Sequence, residues 1–214
     1  MDIYAEFNSL RYLIKKLNPS LEVNSISKIP ESSFFSVELN NGQKIYTDEA
    51  GNHFLTGELF KIDENRIINL TKVELLTRLK PKDLVVFRPD GHVKRILTIF
   101  SDIDCSYCRK LHEGIYKLTS AGIEVRYAAF PRAGEGSDSF IKYVSVLCSS
   151  DRLEAMNRAK QGKKISDNSC KTNISEQFLL GQLLGVRGTP TMFLENGEAI
   201  YGYMPINDLL ARIK

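Results

Sequence analysis

Cys105-Ser106-Tyr107-Cys108 is the segment of this chain best suited to chemistry. Arg95 to Phe100 reads as a strand and Cys105 to Thr119 as a helix, so the motif opens that helix. Two thiols spaced in this way lie one turn apart, close enough to join as a disulfide. The thiolate is the reactive form of cysteine, and a free thiol titrates at about 8.5. First-turn N–H groups and the helix dipole favour negative charge there. Cys105 is therefore expected to be the exposed, low-pKa nucleophile, and Cys108 the more buried, less acidic resolving thiol. Such a pair exchanges disulfides through a mixed-disulfide intermediate.

The rival reading is half of a zinc site, with Cys105, Cys108 and His112 as three ligands. A closed structural site needs a fourth, and no second CxxC is present. Cys148 and Cys170 join any site only through the fold. His112 reads as a partly exposed residue on a helix face. Gly188-Thr189-Pro190-Thr191 is a second distinctive piece. It precedes an apolar strand, where proline is normally excluded from a sheet interior. A cis Thr189–Pro190 bond accounts for it, and a trans proline at a strand start is the plainer alternative. A cis loop facing the CxxC would offer backbone groups to an extended substrate.

The elements that must position these groups follow from composition and pattern. The 214 residues allow one large domain or two small ones. With 43% hydrophobic and 26% charged residues, the chain is of ordinary globular composition. Collagen-like, disordered and coiled-coil readings are excluded. No apolar run reaches the roughly 18 residues of a membrane span. A net charge of +3 with no Lys/Arg block does not indicate nucleic acid. The opening Met1-Asp2-Ile3-Tyr4 is not followed by the pattern of a signal peptide. That leaves a cytosolic protein, or an exported one in mature form with an added Met.

Ile3, Phe7, Leu10, Leu13, Ile14 and Leu17 form one apolar stripe, which predicts a helix over 2–17 ended by Asn18-Pro19. Short strands are expected at 33–39 and 43–47 around Asn40-Asn41-Gly42, then at 59–62 and 67–70. His53, beside the turn at 48–52, reads as solvated. Residues 71–82 predict a short charged helix, and the pattern changes on either side of it. Strand 95–100, helix 105–119 and strand 123–129 make a βαβ unit, which favours parallel pairing. Residues 138–184 read as mostly helical. Strands 191–194 and 198–201 close a hairpin around Glu195-Asn196-Gly197, and 205–213 is a final helix.

The stretch Phe100-Ser101-Asp102-Ile103-Asp104-Cys105-Ser106-Tyr107-Cys108-Arg109-Lys110-Leu111-His112 resembles the active-site segment of the DsbC/DsbG family of disulfide isomerases. Gly185-Val186-Arg187-Gly188-Thr189-Pro190 and the following strand resemble its cis-proline segment. The spacings from Cys108 to Cys148 and from Cys148 to Cys170 look like its second cysteine pair. The resemblance covers 95–214 at motif level and 1–80 at the level of pattern.

It implies a mixed α/β chain. Residues 1–70 would be an N-terminal cystatin-like dimerisation domain, 71–82 a linker helix, and 83–214 a thioredoxin-fold catalytic domain with a helical insertion. Two subunits would form a V with both active sites facing the cleft. Thr189 and Pro190 would hold the substrate strand, together with Ser106 and Tyr107. The family's usual dipeptide between the cysteines is Gly-Tyr, so Ser106 is a departure that bears on redox poise. Cys148 and Cys170 become a structural disulfide, worth about 3 kcal/mol in the chain-entropy model. The alternative is two buried free thiols. A structural disulfide implies an oxidising compartment, hence the periplasm, with the export signal absent from this sequence.

The implied activity is isomerisation and reduction of misoxidised proteins by a homodimer, with no metal or other cofactor. A reduced pair needs an electron donor, which in the family is a membrane thiol-transfer protein of the DsbD kind. A dithiol oxidase of the same fold is one rival. A chaperone, or an assembly factor for a secretion or conjugation apparatus, is another.

Overall fold

A computed structural model of the chain describes residues 7–213. The expected helical residues 2–6, Ile3 among them, and the final Lys214 lie outside the described residues. The chain divides into two compact units, Met1–Leu59 and Phe60–Lys214.

In the first unit, helix α1 (Asn8–Leu17) accompanies strands β1 (Val23–Lys28), β2 (Phe35–Leu39), β3 (Lys44–Thr47) and β4 (Phe54–Thr56). The strands form one antiparallel sheet in that order, with β4 at an edge. Phe7, Leu10 and Ile14 of the predicted stripe pack with Phe35, Val37, Leu39 and Ile45. Leu13 and Leu17, of the same stripe, remain exposed. The buried stripe is therefore narrower than the spacing suggests. The 40–42 turn closes through Gly42 N–H to the Leu39 carbonyl at 2.9 Å. His53 is exposed as expected, with Nδ1 2.6 Å from the Asp48 carboxylate.

The second unit begins with a hairpin, β5 (Phe60–Asp63) and β6 (Arg66–Asn69), followed by α2 (Leu70–Leu76). The Asn69 side chain caps α2 by accepting from Lys72 N–H at 3.0 Å. The predicted helix over 71–82 is thus shorter, and a 3₁₀ turn (Pro81–Asp83) follows it. Leu75 and Leu79 are buried with Phe130, Leu180, Leu184 and Phe193, so this segment packs on the unit's sheet. Asn69 N–H also donates to the Asn196 carbonyl at 2.9 Å. That approach needs Gly197, because a Cβ there would lie 2.7 Å from the Asn69 carbonyl oxygen.

The main sheet comprises β7 (Val85–Phe87), β8 (Arg95–Ser101), β9 (Ile123–Ala129), β10 (Thr191–Leu194) and β11 (Ala199–Tyr201), in the order β11-β10-β8-β9-β7. Only β8 and β9 run parallel, as the βαβ reading requires. Alternation along β8 sends Leu97 and Ile99 to one core and Phe100 to the other. The first core is covered by α3 (Ser106–His112), α4 (Ile115–Ser120), α5 (Asp138–Leu147), α6 (Arg152–Lys160) and α8 (Ile206–Ile213). The second is covered by α2 and α7 (Ile174–Leu183).

The single helix predicted over 105–119 is broken at Glu113-Gly114. The Ile206 side chain of α8 occupies the space that a Cβ at residue 114 would need. Within the predicted helical stretch 138–184, residues 161–173 are irregular, and Cys170 lies there. Cys170 is disulfide-bonded to Cys148 at the end of α5, with Cα atoms 5.6 Å apart. Strands β1, β4 and β7 lie outside the predicted set. The latter two are three residues each. Such strands owe their existence to a neighbour's ladder, not to a local pattern.

Candidate active site

Sheet register brings the two distinctive loops together. Thr191 pairs antiparallel with Phe100, so the loop after β8 and the loop before β10 lie at the same end of the sheet. Cys105 is the N-cap of α3, with extended backbone and no side-chain cap bond. The Thr189–Pro190 peptide is cis. Cys105 Sγ lies 3.3 Å from the Thr189 carbonyl oxygen, to which the thiol donates. The residue is only 3% exposed, contrary to the expectation of an open nucleophile. Tertiary packing, including the cis-proline loop against its sulfur, supplies that cover. Cys108, one turn on, is 1% exposed.

The two thiols titrate in opposite directions. Cys105 is lowered to about 5, chiefly by a hydrogen bond from the Cys108 thiol to its sulfur; burial opposes the shift. Thr189 Oγ1 is buried without another partner, which leaves its hydroxyl to the Cys105 thiolate. The Cys108 N–H and the Arg132 guanidinium add to the effect. Burial, then the neighbouring Cys105, pushes Cys108 well above the ordinary thiol range. The asymmetry expected from the helix start is present, but its largest source is the second thiol for Cys105 and burial for Cys108. Carbamidomethylation of reduced protein should therefore have a rate that rises through about pH 5 and is flat above it. Below that pH the thiol is protonated and the rate falls. Mass mapping should place the label on Cys105. An inflection near the free-thiol pKa would count against this assignment.

Beneath the thiols lies a buried polar network. Asp102 Oδ1 accepts from Asp104 N–H at 2.8 Å and from the Ser139 hydroxyl at 2.7 Å. Its Oδ2 accepts from Arg132 N–H at 2.9 Å and Nε at 3.2 Å. Burial opposes its ionisation, but these donors outweigh burial and hold the carboxyl below its usual range. Lys160 Nζ donates to the Ser101 hydroxyl at 2.6 Å and to the Asp102 carbonyl at 2.8 Å. Tyr143 OH donates to the Ser101 carbonyl at 2.6 Å.

His112 is buried, which corrects its reading as a partly exposed residue. Its Nδ1 lies 3.0 Å from Tyr127 OH and its Nε2 3.0 Å from Asn157 Oδ1. Burial, then the Lys160 charge, lowers it to about 4, so the ring is neutral at physiological pH. A zinc set on Cys105, Cys108 and His112 would have to break those bonds, and Cys148 and Cys170 are committed to each other.

Ser106 and Tyr107 face outward on the first turn of α3. The Tyr107 ring stacks on Tyr203 with centroids 6.0 Å apart, and Lys110 Nζ lies 4.9 Å from the Tyr203 centroid. Together they make an aromatic surface with a cation beside the thiols.

Residues 5–72 match the disulfide bond isomerase N-terminal domain, and residues 81–214 match the thioredoxin-like domain. The thiol:disulfide interchange protein DsbC of Dickeya dadantii is 34% identical over 194 residues, covering 90% of this chain and 81% of that protein. The protein of the same name from Escherichia coli is 33% identical, covering 88% and 80%. The chain belongs to the DsbC family. A crystal structure of a disulfide interchange protein from Neisseria gonorrhoeae superposes with a TM-score of 0.56 at 27% identity, covering 63% of this chain and 96% of that one. The DsbC-type pairing of an N-terminal domain with a thioredoxin-like domain is thus present here, as is the chemistry class of a thiol-disulfide oxidoreductase.

Sequence reasoning did not single out Ser101, Asp102, Arg132, Tyr143 or Lys160. Ser101 and Asp102 stand within the family segment, where proximity to Cys105 was a usable signal. The other three lie 27, 38 and 55 residues beyond Cys105 and reach the site only through folding.

Proposed function

We propose that this protein reduces and isomerises mispaired disulfides in exported proteins, with Cys105 attacking and Cys108 resolving. The observation that carries the reading is the Cys105 sulfur at a helix start, against the Thr189 carbonyl, with the Cys108 thiol beside it. The Cys105 thiolate attacks one sulfur of a substrate disulfide. The other sulfur leaves with the electron pair, and a mixed disulfide forms. The freed substrate thiolate then attacks a further substrate disulfide, and the thiolate expelled there attacks the Cys105–substrate bond. Cys105 leaves as the thiolate and the substrate is isomerised with no net electron transfer. Otherwise Cys108 attacks Cys105 Sγ, which releases reduced substrate and oxidises the pair. Reduction of that pair requires a thiol donor, for which a membrane protein of the DsbD kind is proposed.

In the mixed disulfide, the Thr189 carbonyl beside Cys105 Sγ would accept from a substrate backbone N–H. Pro190 sets the loop that presents it, and Ser106 and Tyr107 supply the outer contact. The Cys148–Cys170 disulfide supports a periplasmic location, because such bonds persist in oxidising compartments. No described helix is long and apolar enough to cross a membrane. The first unit supports homodimerisation: its edge strand β4 exposes Phe54 and Leu55, and α1 exposes Leu13 and Leu17.

The test is one preparation assayed twice. Reduced protein should catalyse insulin reduction with dithiothreitol and restore activity to scrambled ribonuclease. Restored ribonuclease with both cysteines replaced by Ala would favour a chaperone, and faster oxidation of reduced ribonuclease than reactivation of the scrambled form would favour an oxidase.

A further inference from the structure

Lys160, the last residue of α6, is 2% exposed. Among the described residues no carboxylate lies within ion-pair distance of its Nζ, since the Asp102 oxygens are held by Arg132, Ser139 and the Asp104 N–H. Burying an ammonium without an opposing carboxylate is costly, and an apolar side chain of similar length would fill the space at less cost. The lysine has a more specific setting than packing. Nζ donates to the Ser101 hydroxyl oxygen at 2.6 Å, and the Ser101 hydroxyl lies near enough to the Cys108 sulfur to favour its thiolate form. The three groups stand in sequence, Nζ to Oγ to Sγ, and all three residues are buried.

We propose that Lys160, acting through the Ser101 hydroxyl, receives the Cys108 proton when the mixed disulfide on Cys105 is resolved. The inference rests on the roles proposed above for the two cysteines. In the step, Ser101 passes its hydroxyl proton to the neutral Lys160 amine and takes the proton of the Cys108 thiol. The Cys108 thiolate attacks Cys105 Sγ and forms the Cys105–Cys108 bond. The bond from Cys105 to substrate breaks, and the substrate sulfur leaves with its electron pair. The dithiol is oxidised, the substrate disulfide is reduced, and the proton stays on Lys160 until it is lost to solvent.

The surrounding charges suit this part. Burial lowers Lys160 to about 8, so the ammonium still predominates at neutral pH but a minor fraction of the protein holds the free amine there. Cys108 on α3, Asp102 in the loop after β8 and Cys105 at the α3 N-cap favour the ammonium; Arg109 on α3 opposes it. His112 on the same helix is neutral, the Tyr127 ring of β9 lies 5.5 Å from Nζ, and Tyr143 of α5 engages the Ser101 carbonyl. When Cys105 enters a mixed disulfide its negative charge disappears. One interaction that favours the ammonium is thereby lost, and the amine becomes more available at the step that needs it.

The test is stopped-flow reaction of the full-length reduced protein with 5,5′-dithiobis(2-nitrobenzoate). The first release of thionitrobenzoate reports attack by Cys105 and the second reports resolution by Cys108. Lys160→Met should slow the second release about 100-fold at neutral pH. It should abolish the inflection, expected below about pH 8 in the mixed disulfide, and leave the first release within about threefold. Ser101→Ala retains the lysine, interrupts the path and should have the same effect; it carries the test if Lys160→Met does not fold. A second release with wild-type rate and pH profile in the folded variants overturns the proposal. So does a slowing of both releases with the inflection kept, which is the mark of a packing role. Absence of the first release in the wild-type protein would instead overturn the assignment of Cys105.

Discussion

Cys105→Ala should abolish both insulin reduction and ribonuclease reactivation, while Cys108→Ala should retain attack and accumulate mixed disulfides. The difference follows from the environments of the two sulfurs. Cys105 is held near pKa 5 and is a thiolate at neutral pH; Cys108 is buried and protonated. Without Cys105 no ionised sulfur faces the Thr189 loop, and a loss of at least about a thousandfold is expected. Without Cys108 the first bond exchange proceeds, but only the substrate's own thiols can release it. Removing Cys108 also removes the hydrogen bond that lowers Cys105 most, so its pKa should rise in that variant. Non-reducing electrophoresis after incubation with scrambled ribonuclease should show adducts with Cys108→Ala and none with Cys105→Ala. Equal adduct formation by both would reverse or void the assignment.

Removal of residues 1–59 should yield a monomer that reduces insulin but has lost isomerisation. The cut falls at the boundary between the two units, not at residue 70, because the β5–β6 hairpin is joined to the Asn196 turn by the Asn69 hydrogen bond. The unit from Phe60 onward contains both thiols and two cores of its own, so the chemistry should survive. The first unit carries neither thiol. What it exposes is an edge strand with Phe54 and Leu55, the latter 57% exposed. Pairing that edge with its two-fold mate would bury these residues and complete a ladder. A misfolded chain held by two sites is retained between successive exchanges, and losing the second site should reduce reactivation by more than about tenfold. Insulin reduction, a single encounter, should change less than about threefold. Analytical ultracentrifugation beside both assays decides the matter. A dimeric truncated protein, or one that isomerises like the full chain, would contradict it.

The local parts of this protein were written in its sequence. Strand, CxxC and helix stand in consecutive residues, and the Asn40-Asn41-Gly42 and Glu195-Asn196-Gly197 turns depend only on neighbours. Thr189-Pro190 marked a special peptide because proline has few reasons to precede an apolar strand. The disulfide between Cys148 and Cys170 came from family resemblance and not from spacing alone.

The long-range parts were decided by folding. The three-residue strand β7 exists because β9 offers it a ladder, and the helix after Cys108 breaks where Ile206 needs room. His112 became buried because Tyr127 and Asn157 satisfy both ring nitrogens. Cys105 lost its exposure to packing that includes a loop 84 residues away. Lys160 reaches Ser101 across 59 residues of sequence, and its neighbours along the chain carry no sign of that approach. The sequence by itself therefore determined which atoms are candidates for the chemistry, since thiol reactivity and turn geometry are properties of a few adjacent residues. Only the tertiary structure decided where their protons sit, because that depends on burial and on charges brought together from distant segments.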